Sequence, residues 1–119
     1  MKQTLCKPTV CVICGGKSTE HRISLISGKN VLDAIDRSRY DVVLCAITEQ
    51  GDWLYFDSTR PFLNNAKNPD KVSLKVKSGK FCFPIKTPVG PAIIVPGTDA
   101  SFAIDVAFPV LHGANGEDG

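Results

Sequence analysis

The sequence predicts an α/β domain: a mostly parallel sheet flanked by helices, with an irregular, partly antiparallel insertion. Three observations carry this. Residues 10–14 and Asp41–Ile47 are short unbroken apolar runs, the pattern of strands buried on both faces of a parallel sheet. Residues 20–36 between them follow a helical period, so strand, helix and strand with short joints make a right-handed βαβ unit. A third buried run, residues 105–111, returns the chain to sheet after a long excursion.

Val10-Cys11-Val12-Ile13-Cys14 ends at Gly15-Gly16, which allow a tight exit from the first strand. Ser18 or Thr19 is a good helix N-cap, and Glu20 favours the first turn electrostatically. Within residues 20–36, Ile23, Ile26, Ser27, Asn30, Val31, Ala34 and Ile35 follow the i, i+3, i+4, i+7 series. Leu25 and Leu32 lie a heptad apart on roughly the opposite side. One stripe is expected on the sheet, and the other calls for a second cover, another domain or another subunit; the extra stripe of Leu25 and Leu32 suggests a dimer contact. After the second buried strand, Trp53-Leu54-Tyr55-Phe56 reads as a short aromatic strand. Residues 72–76 alternate apolar and polar, and Ser78-Gly79 is placed to turn them back into Phe81-Cys82-Phe83 as a hairpin. Pro84, Pro88, Pro91 and Pro96 then break up the chain. Pro109, inside the last apolar run, points to an edge strand or a strand end.

At 119 residues the chain is one domain, and its composition, 43% hydrophobic and 22% charged, is that of a globular protein. A net charge of +2 is too weak a bias to point to nucleic acid or an anionic membrane. No apolar run approaches the about 20 residues a membrane helix needs. The first eight residues lack the apolar segment of a signal peptide, so a cytoplasmic location is expected. Five cysteines, an odd number, argue against a complete disulfide framework. Cys11-x-x-Cys14 has redox spacing, but it lies within a strand, where residues three apart point to opposite faces. Buried, reduced cysteines are expected.

Two segments carry chemistry. Gly15-Gly16-Lys17-Ser18-Thr19-Glu20-His21 sits at the carboxyl end of the first strand and the mouth of a helix, where open α/β sheets bind ligands and helix N-termini attract anions. A plain βα turn with solvated charges is the competing explanation. The segment is not a Walker A loop, because the first glycine of that motif falls on Cys11, and adjacent Gly15 and Gly16 do not fit G-x-G-x-x-G. The second segment, His112-Gly113-Ala114-Asn115-Gly116-Glu117-Asp118-Gly119, follows the last buried strand and is expected at the same edge. Adjacent Glu117 and Asp118 make an awkward metal site, and no metal is expected there. If the sheet is parallel, Glu20, His21, His112 and Glu117 converge on one crevice. Such a set suits a zwitterion: a carboxylate holds an ammonium, while a histidine and a helix N-terminus hold a carboxylate.

These residues resemble a known family. G-G-K-S-x-E-H-x-[IV]-S-L (residues 15–25), S-x-x-N-V-x-x-A-I-D (27–36), D-V-V (41–43) and F-P-V-L-H-G-x-x-G-E-D-G (108–119) resemble the amino-terminal domain of D-alanine–D-alanine ligases. The likeness covers residues 10–56 and 105–119; residues 57–104 match in character but not by motif. It implies a Rossmann-like, pre-ATP-grasp domain spanning residues 1–119, with the ATP-grasp domains absent. It implies an enzyme that joins two D-alanines with ATP and Mg2+ through an acyl phosphate, in cytoplasmic peptidoglycan precursor synthesis, typically as a homodimer. Carried over by motif, Glu20 is the catalytic-site residue that holds the ammonium of the first D-alanine. Ile23 packs near its methyl group, and His112 hydrogen-bonds its carboxylate; Glu117 receives no role. ATP, Mg2+ and the second D-alanine belong to the domains not spanned, so the fragment alone is expected to bind no cofactor and to be inactive. Arg22 departs from the acid many members carry, and Ala114-Asn115 from Thr-Leu or Pro-Leu. A non-catalytic module that binds an amino acid is the main alternative. A receiver-like signalling domain ranks lower, because the first strand ends in glycines rather than acids.

Overall fold

The computed structural model describes residues 7–17 and 19–110. Strand β1 (Thr9–Gly15) is followed by helix α1 (His21–Ala34) and strand β2 (Asp41–Ile47). Then come β3 (Trp53–Phe56), β4 (Leu63–Asn64), β5 (Ser73–Leu74) and β6 (Lys80–Phe81), with a single 3-10 turn at Val76–Ser78. Strands β7 (Phe83–Thr87), β8 (Gly90–Ile94), β9 (Ser101–Ala103) and β10 (Val106–Val110) complete the described chain.

The main sheet has the order β10-β1-β2-β3-β6. Strand β1 lies between two parallel neighbours: Cys14 is level with Val110 on one side, and Gly15 with Ile47 on the other. The βαβ reading of residues 10–47 therefore holds, and the carboxyl ends of β10, β1 and β2 share one edge. Strands β3 and β6 extend the sheet antiparallel. Pro109 also sits as expected: β10 is an edge strand, where a missing N–H costs no ladder bond on the open side.

Two apolar layers cover this sheet. On one face, α1 and residues 62–74 bury Val10, Val12, Cys14, Leu44, Leu54 and Phe56. On the other, the antiparallel sheet β7-β8-β9 packs on Cys11, Val43 and Cys45. Residues 83–103 thus form a second layer in the place a helix would otherwise take. The aromatic strand divides between the layers: Phe56 tilts against Phe62 on the α1 side, and Tyr55 stacks on Phe102 on the other, at 5.1 Å between ring centres.

The cysteines follow the strand alternation. Cys14 faces α1, while Cys11 faces the second layer, where it and Cys82 each lie 3.8 Å from the sulfur of Cys45. All four are buried free thiols, and Cys6 lies outside the described residues. Burial pushes the Cys14 thiol up to about 12.

The structure corrects three expectations. The most buried face of α1 is His21, Ser24, Leu25, Gly28 and Leu32; of the Ile23–Ile35 stripe, Ile26, Val31 and Ile35 are half-buried against the same core. Small residues set how close the helix lies, and Leu25 and Leu32 fill the core beside them. Gly28 is pressed so close that a Cβ there would sit 2.7 Å from the Cβ of Cys14 and 2.8 Å from its sulfur. Leu25 and Leu32 are therefore core residues and offer no outward surface to a second subunit, whereas Ile23 is 52% exposed. Second, the helix starts one residue later than expected, with Glu20 in the cap position and no side-chain capping bond; Ser18 lies outside the described residues. At the other end α1 stops at Ala34, with Ile35 extended. Just beyond, the Asp36 carboxylate accepts from Ser38 N and Oγ, a local turn that competes with further helix. Third, residues 72–76 do not form a hairpin with 81–83. Strand β5 pairs with β4, and the 3-10 turn carries the chain away to β6, which joins β3.

Gly28→Ala tests the α1 contact. Alanine gains about 1 kcal/mol of helix propensity, but its overlap with Cys14 costs about 1–3 kcal/mol. The urea midpoint is expected to fall; an unchanged or higher midpoint would contradict the close approach. Cys14 makes a pH prediction. A thiol whose folded value is raised contributes stability below its ordinary value and loses it as pH climbs toward 12. Above about pH 9 this one group removes up to ~1.4 kcal/mol per pH unit. Cys14→Ala is expected to be less stable at neutral pH by about 1–2 kcal/mol, with a shallower alkaline decline in urea denaturation. An unchanged slope would contradict the burial.

Candidate functional site

The carboxyl edge of the parallel strands is shaped first by two glycines. Gly15 and Gly16 hold φ of 91° and 103°, in the left-handed region. At Gly15 a Cβ would lie 2.2 Å from the carbonyl oxygen of Ile47, so the turn passes against the end of β2 with no room for a side chain. Gly16 N–H donates to that same carbonyl at 2.8 Å. The βα turn is thereby fixed to two strands before α1 begins.

Side chains from the first turn of α1 return to this turn. His21 is buried, and its Nδ1 lies 2.8 Å from the Gly16 carbonyl oxygen. A carbonyl only accepts, so Nδ1 carries the proton and, in the neutral ring, Nε2 is left as an acceptor. Ser24 is fully buried. Its Oγ accepts from Gly15 N–H at 2.8 Å and donates to the Val110 carbonyl at the end of β10. Its own backbone N–H donates to the Glu20 carbonyl at 2.9 Å, the first bond of the helix. Glu20 is exposed at the helix mouth, one residue before His21, and Ile23 is exposed one turn on.

On the β2 side, the Lys17 side chain lies across the turn at Gly51, where a Cβ would sit 2.8 Å from its Cε. That turn is closed by Thr48 N–H donating to Asp52 O and Gly51 N–H to Thr48 O. Between it and α1 lies a cleft of about 280 Å³, lined by His21, Arg22, Thr48, Glu49, Asp52 and Leu74 among others. Arg22, the departure beside Glu20, thus shares a cleft with two acids. A larger cavity of about 630 Å³ opens at the opposite edge, where β1 and β2 begin. Its cations are engaged in holding the chain: Lys7 Nζ donates to Arg37 O, and Arg37 to Ser58 and Leu32. Ligands of open α/β sheets bind at the carboxyl edge, which favours the Gly15–Gly16 side.

Of the residues expected from sequence, the structure brings Glu20 and His21 together at this edge, with Ile23 following on α1. His112 and Glu117 lie outside the described residues; the last one before them is Val110, level with Cys14. No group of His, Cys, Asp or Glu among the described residues is arranged to hold a metal ion. No helix of the described residues is long and apolar enough to cross a membrane. Sequence reading missed Ser24. A serine in an amphipathic helix carries no signal of its own, though it stands in the motif as the residue before Leu25. Spacing held a further clue, since 21, 24, 25, 28 and 32 are a helical stripe once small and polar residues are counted.

Comparison with known proteins bears on this edge. The family model for the D-ala D-ala ligase N-terminus matches residues 9–119. The D-alanine–D-alanine ligase of Proteus mirabilis is 40% identical over 95% of this chain and 31% of its own length. That of Shouchella clausii is 41% identical over 97% of this chain and 31% of its own length. The chain therefore spans about a third of these relatives. Among solved structures, the D-alanine–D-alanine ligase of Coxiella burnetii superimposes with a TM-score of 0.72 at 28% identity, over 95% of this chain and 31% of that one. The VanG D-Ala:D-Ser ligase of Enterococcus faecalis does so with a TM-score of 0.69 at 26% identity, over 96% and 32%.

The two turn glycines are expected to differ in tolerance. Gly16→Ala meets open space and carries only the backbone cost of positive φ, about 1–2 kcal/mol. Gly15→Ala adds overlap with the Ile47 carbonyl and is expected to cost at least about 3 kcal/mol. Equal losses in thermal or urea unfolding would contradict the geometry of the turn.

Proposed function

The chain belongs to the family of D-alanine–D-alanine ligase amino-terminal domains, and on that basis we propose that residues 1–119 are the domain that holds the first substrate of an ATP-dependent D-alanine–D-alanine ligase. The whole enzyme joins two D-alanines through an acyl phosphate, in cytoplasmic synthesis of peptidoglycan precursors. The observation that supports this most is the parallel pairing of β1 and β10. It sets the strand before the Glu20 loop level with the strand before the His112 loop, so two sequence motifs far apart in the chain leave the sheet at one edge.

At that edge Glu20 holds the ammonium of the first D-alanine, and Ile23 packs beside its methyl group. His112 donates a hydrogen bond to its carboxylate. Ile23 is exposed one helical turn beyond Glu20, open to a ligand or another domain. A carboxylate from the Glu20 loop and a histidine from the His112 loop match the two charges of an amino acid and orient it by its stereocentre. ATP and Mg2+ do not fit the described residues, which offer neither a metal-binding group nor a phosphate loop of the Walker type. Their sites belong to the two thirds of the relatives' length that this chain does not span, and turnover requires that part. If the enzyme is a homodimer, its interface is a surface other than Leu25 and Leu32.

Titrating the 15N-labelled chain with D-alanine and with L-alanine tests this reading. D-alanine is expected to give saturable amide shifts at Gly15, Gly16 and residues 20–23, with L-alanine markedly weaker. Glu20→Gln is expected to weaken D-alanine binding at least about tenfold, the loss of a charge-assisted hydrogen bond worth roughly 1.5–3 kcal/mol. Equal response to both enantiomers, no saturable response, or indifference to Glu20→Gln would contradict it. The alternative, an amino-acid-binding module without catalysis, has no observation that favours it over the ligase.

A further inference from the structure

We propose that Ser24 is a positioning residue for this substrate site, setting the separation between the Glu20 loop and the His112 loop; the inference rests on the proposed D-alanine site. Three contacts of this one residue carry it. The hydroxyl oxygen accepts from Gly15 N–H at 2.8 Å, holding the turn that leaves β1. The hydroxyl hydrogen goes to the Val110 carbonyl, holding the end of β10 two residues before His112. The backbone N–H donates to the Glu20 carbonyl at 2.9 Å, holding the residue at the helix mouth. The side chain is 0% exposed, so water does not reach the bond to the Gly15 amide.

The geometry explains why a serine is needed at a position that helix packing alone would fill with alanine or leucine. Among the described residues, the two strands are last level at Cys14 and Val110. One hydroxyl bridges them, with a donor from one strand and an acceptor from the other. Alanine leaves the buried Gly15 N–H and the half-buried Val110 C=O without that partner. The strand ends are then free to separate, and with them the two groups that grip opposite ends of the amino acid. A gap of about 1 Å between paired binding groups costs on the order of a hundredfold in function.

The test compares Ser24→Ala, Ser24→Cys and the remote core variant Val95→Ala with the parent chain. Val95 is buried in the second layer, so its truncation lowers stability comparably without touching the edge. Two quantities are read in each: the 13C shift of the Val110 carbonyl, which reports its hydrogen bond, and the affinity for D-alanine by amide-shift titration. Ser24→Ala is expected to move the Val110 carbonyl shift and to weaken D-alanine at least tenfold. Ser24→Cys, with similar volume and a weak donor, is expected to fall between Ser24→Ala and the parent. Val95→Ala is expected to leave both readouts at the parent value. If the parent binds D-alanine and Ser24→Ala binds it equally well, or if Val95→Ala weakens binding as much, the positioning role is overturned while the D-alanine site survives. If the parent itself shows no D-alanine binding, the site fails and this inference falls with it.

Discussion

The carboxyl edge of this sheet depends on how closely α1 lies against β1. The seam is made of small side chains. Gly28 leaves its Cβ space to Cys14, and Ser24 directs its hydroxyl to the backbone of two strands. A helix held at ordinary side-chain distance would leave the buried Gly15 amide without a partner, at roughly 1–3 kcal/mol, and the half-buried Val110 carbonyl without its serine donor. With the helix seated, the turn at Gly15 and Gly16 is held by Ile47 from one side and by Ser24 and His21 from the other. Glu20 stands at the exit of a rigid turn for this reason, rather than on a free loop.

The rest of the fold supports that seam. A parallel sheet needs both faces covered, and among the described residues there is one long helix to do it. The second face is covered by β7-β8-β9, which bury Ile93 and Val95 over Cys11, Val43 and Cys45. The three sulfurs there pack as small apolar groups. At 3.8 Å, Cys11 and Cys82 are in weak thiol hydrogen bonds to the sulfur of Cys45 rather than in disulfides, and their burial keeps oxidants away. Residues 49–104 contribute no ligand-gripping motif of their own, apart from acids on the cleft beside Arg22. They close the core, and the strand ends at the functional edge are steady because of it.

Much of this fold is legible in the sequence because it rests on patterns that repeat. Unbroken apolar runs mark β1, β2 and β10, glycines mark the turn, and strand alternation puts Cys11 and Cys14 on opposite faces. The face of α1 is not legible by the same means. Apolar periodicity favours Ile23, Ile26 and Ile35, but the helix buries Ser24 and Gly28, because a helix crossing a sheet this closely selects for small size. The pairing of β5 escapes for a related reason: two-residue strands leave no periodic trace, and the 3-10 turn that diverts the chain has no marked composition. Of the candidate site, the residues the motif points to, Glu20, His21 and Ile23, stand on one helix end. Ser24 is visible only once the partners of its hydroxyl are known.

The carboxyl edge of the sheet is built only if the Gly15 amide is locked to a buried serine hydroxyl between α1 and β10. Native-state amide hydrogen exchange of Gly15 tests this directly. A locked amide exchanges as slowly as the centre of β1, opening only when the whole domain unfolds, and that is the expected outcome. Exchange at the rate of an exposed turn, while Val12 stays protected, would mean that the strand end is loose and that Ser24 does not hold it.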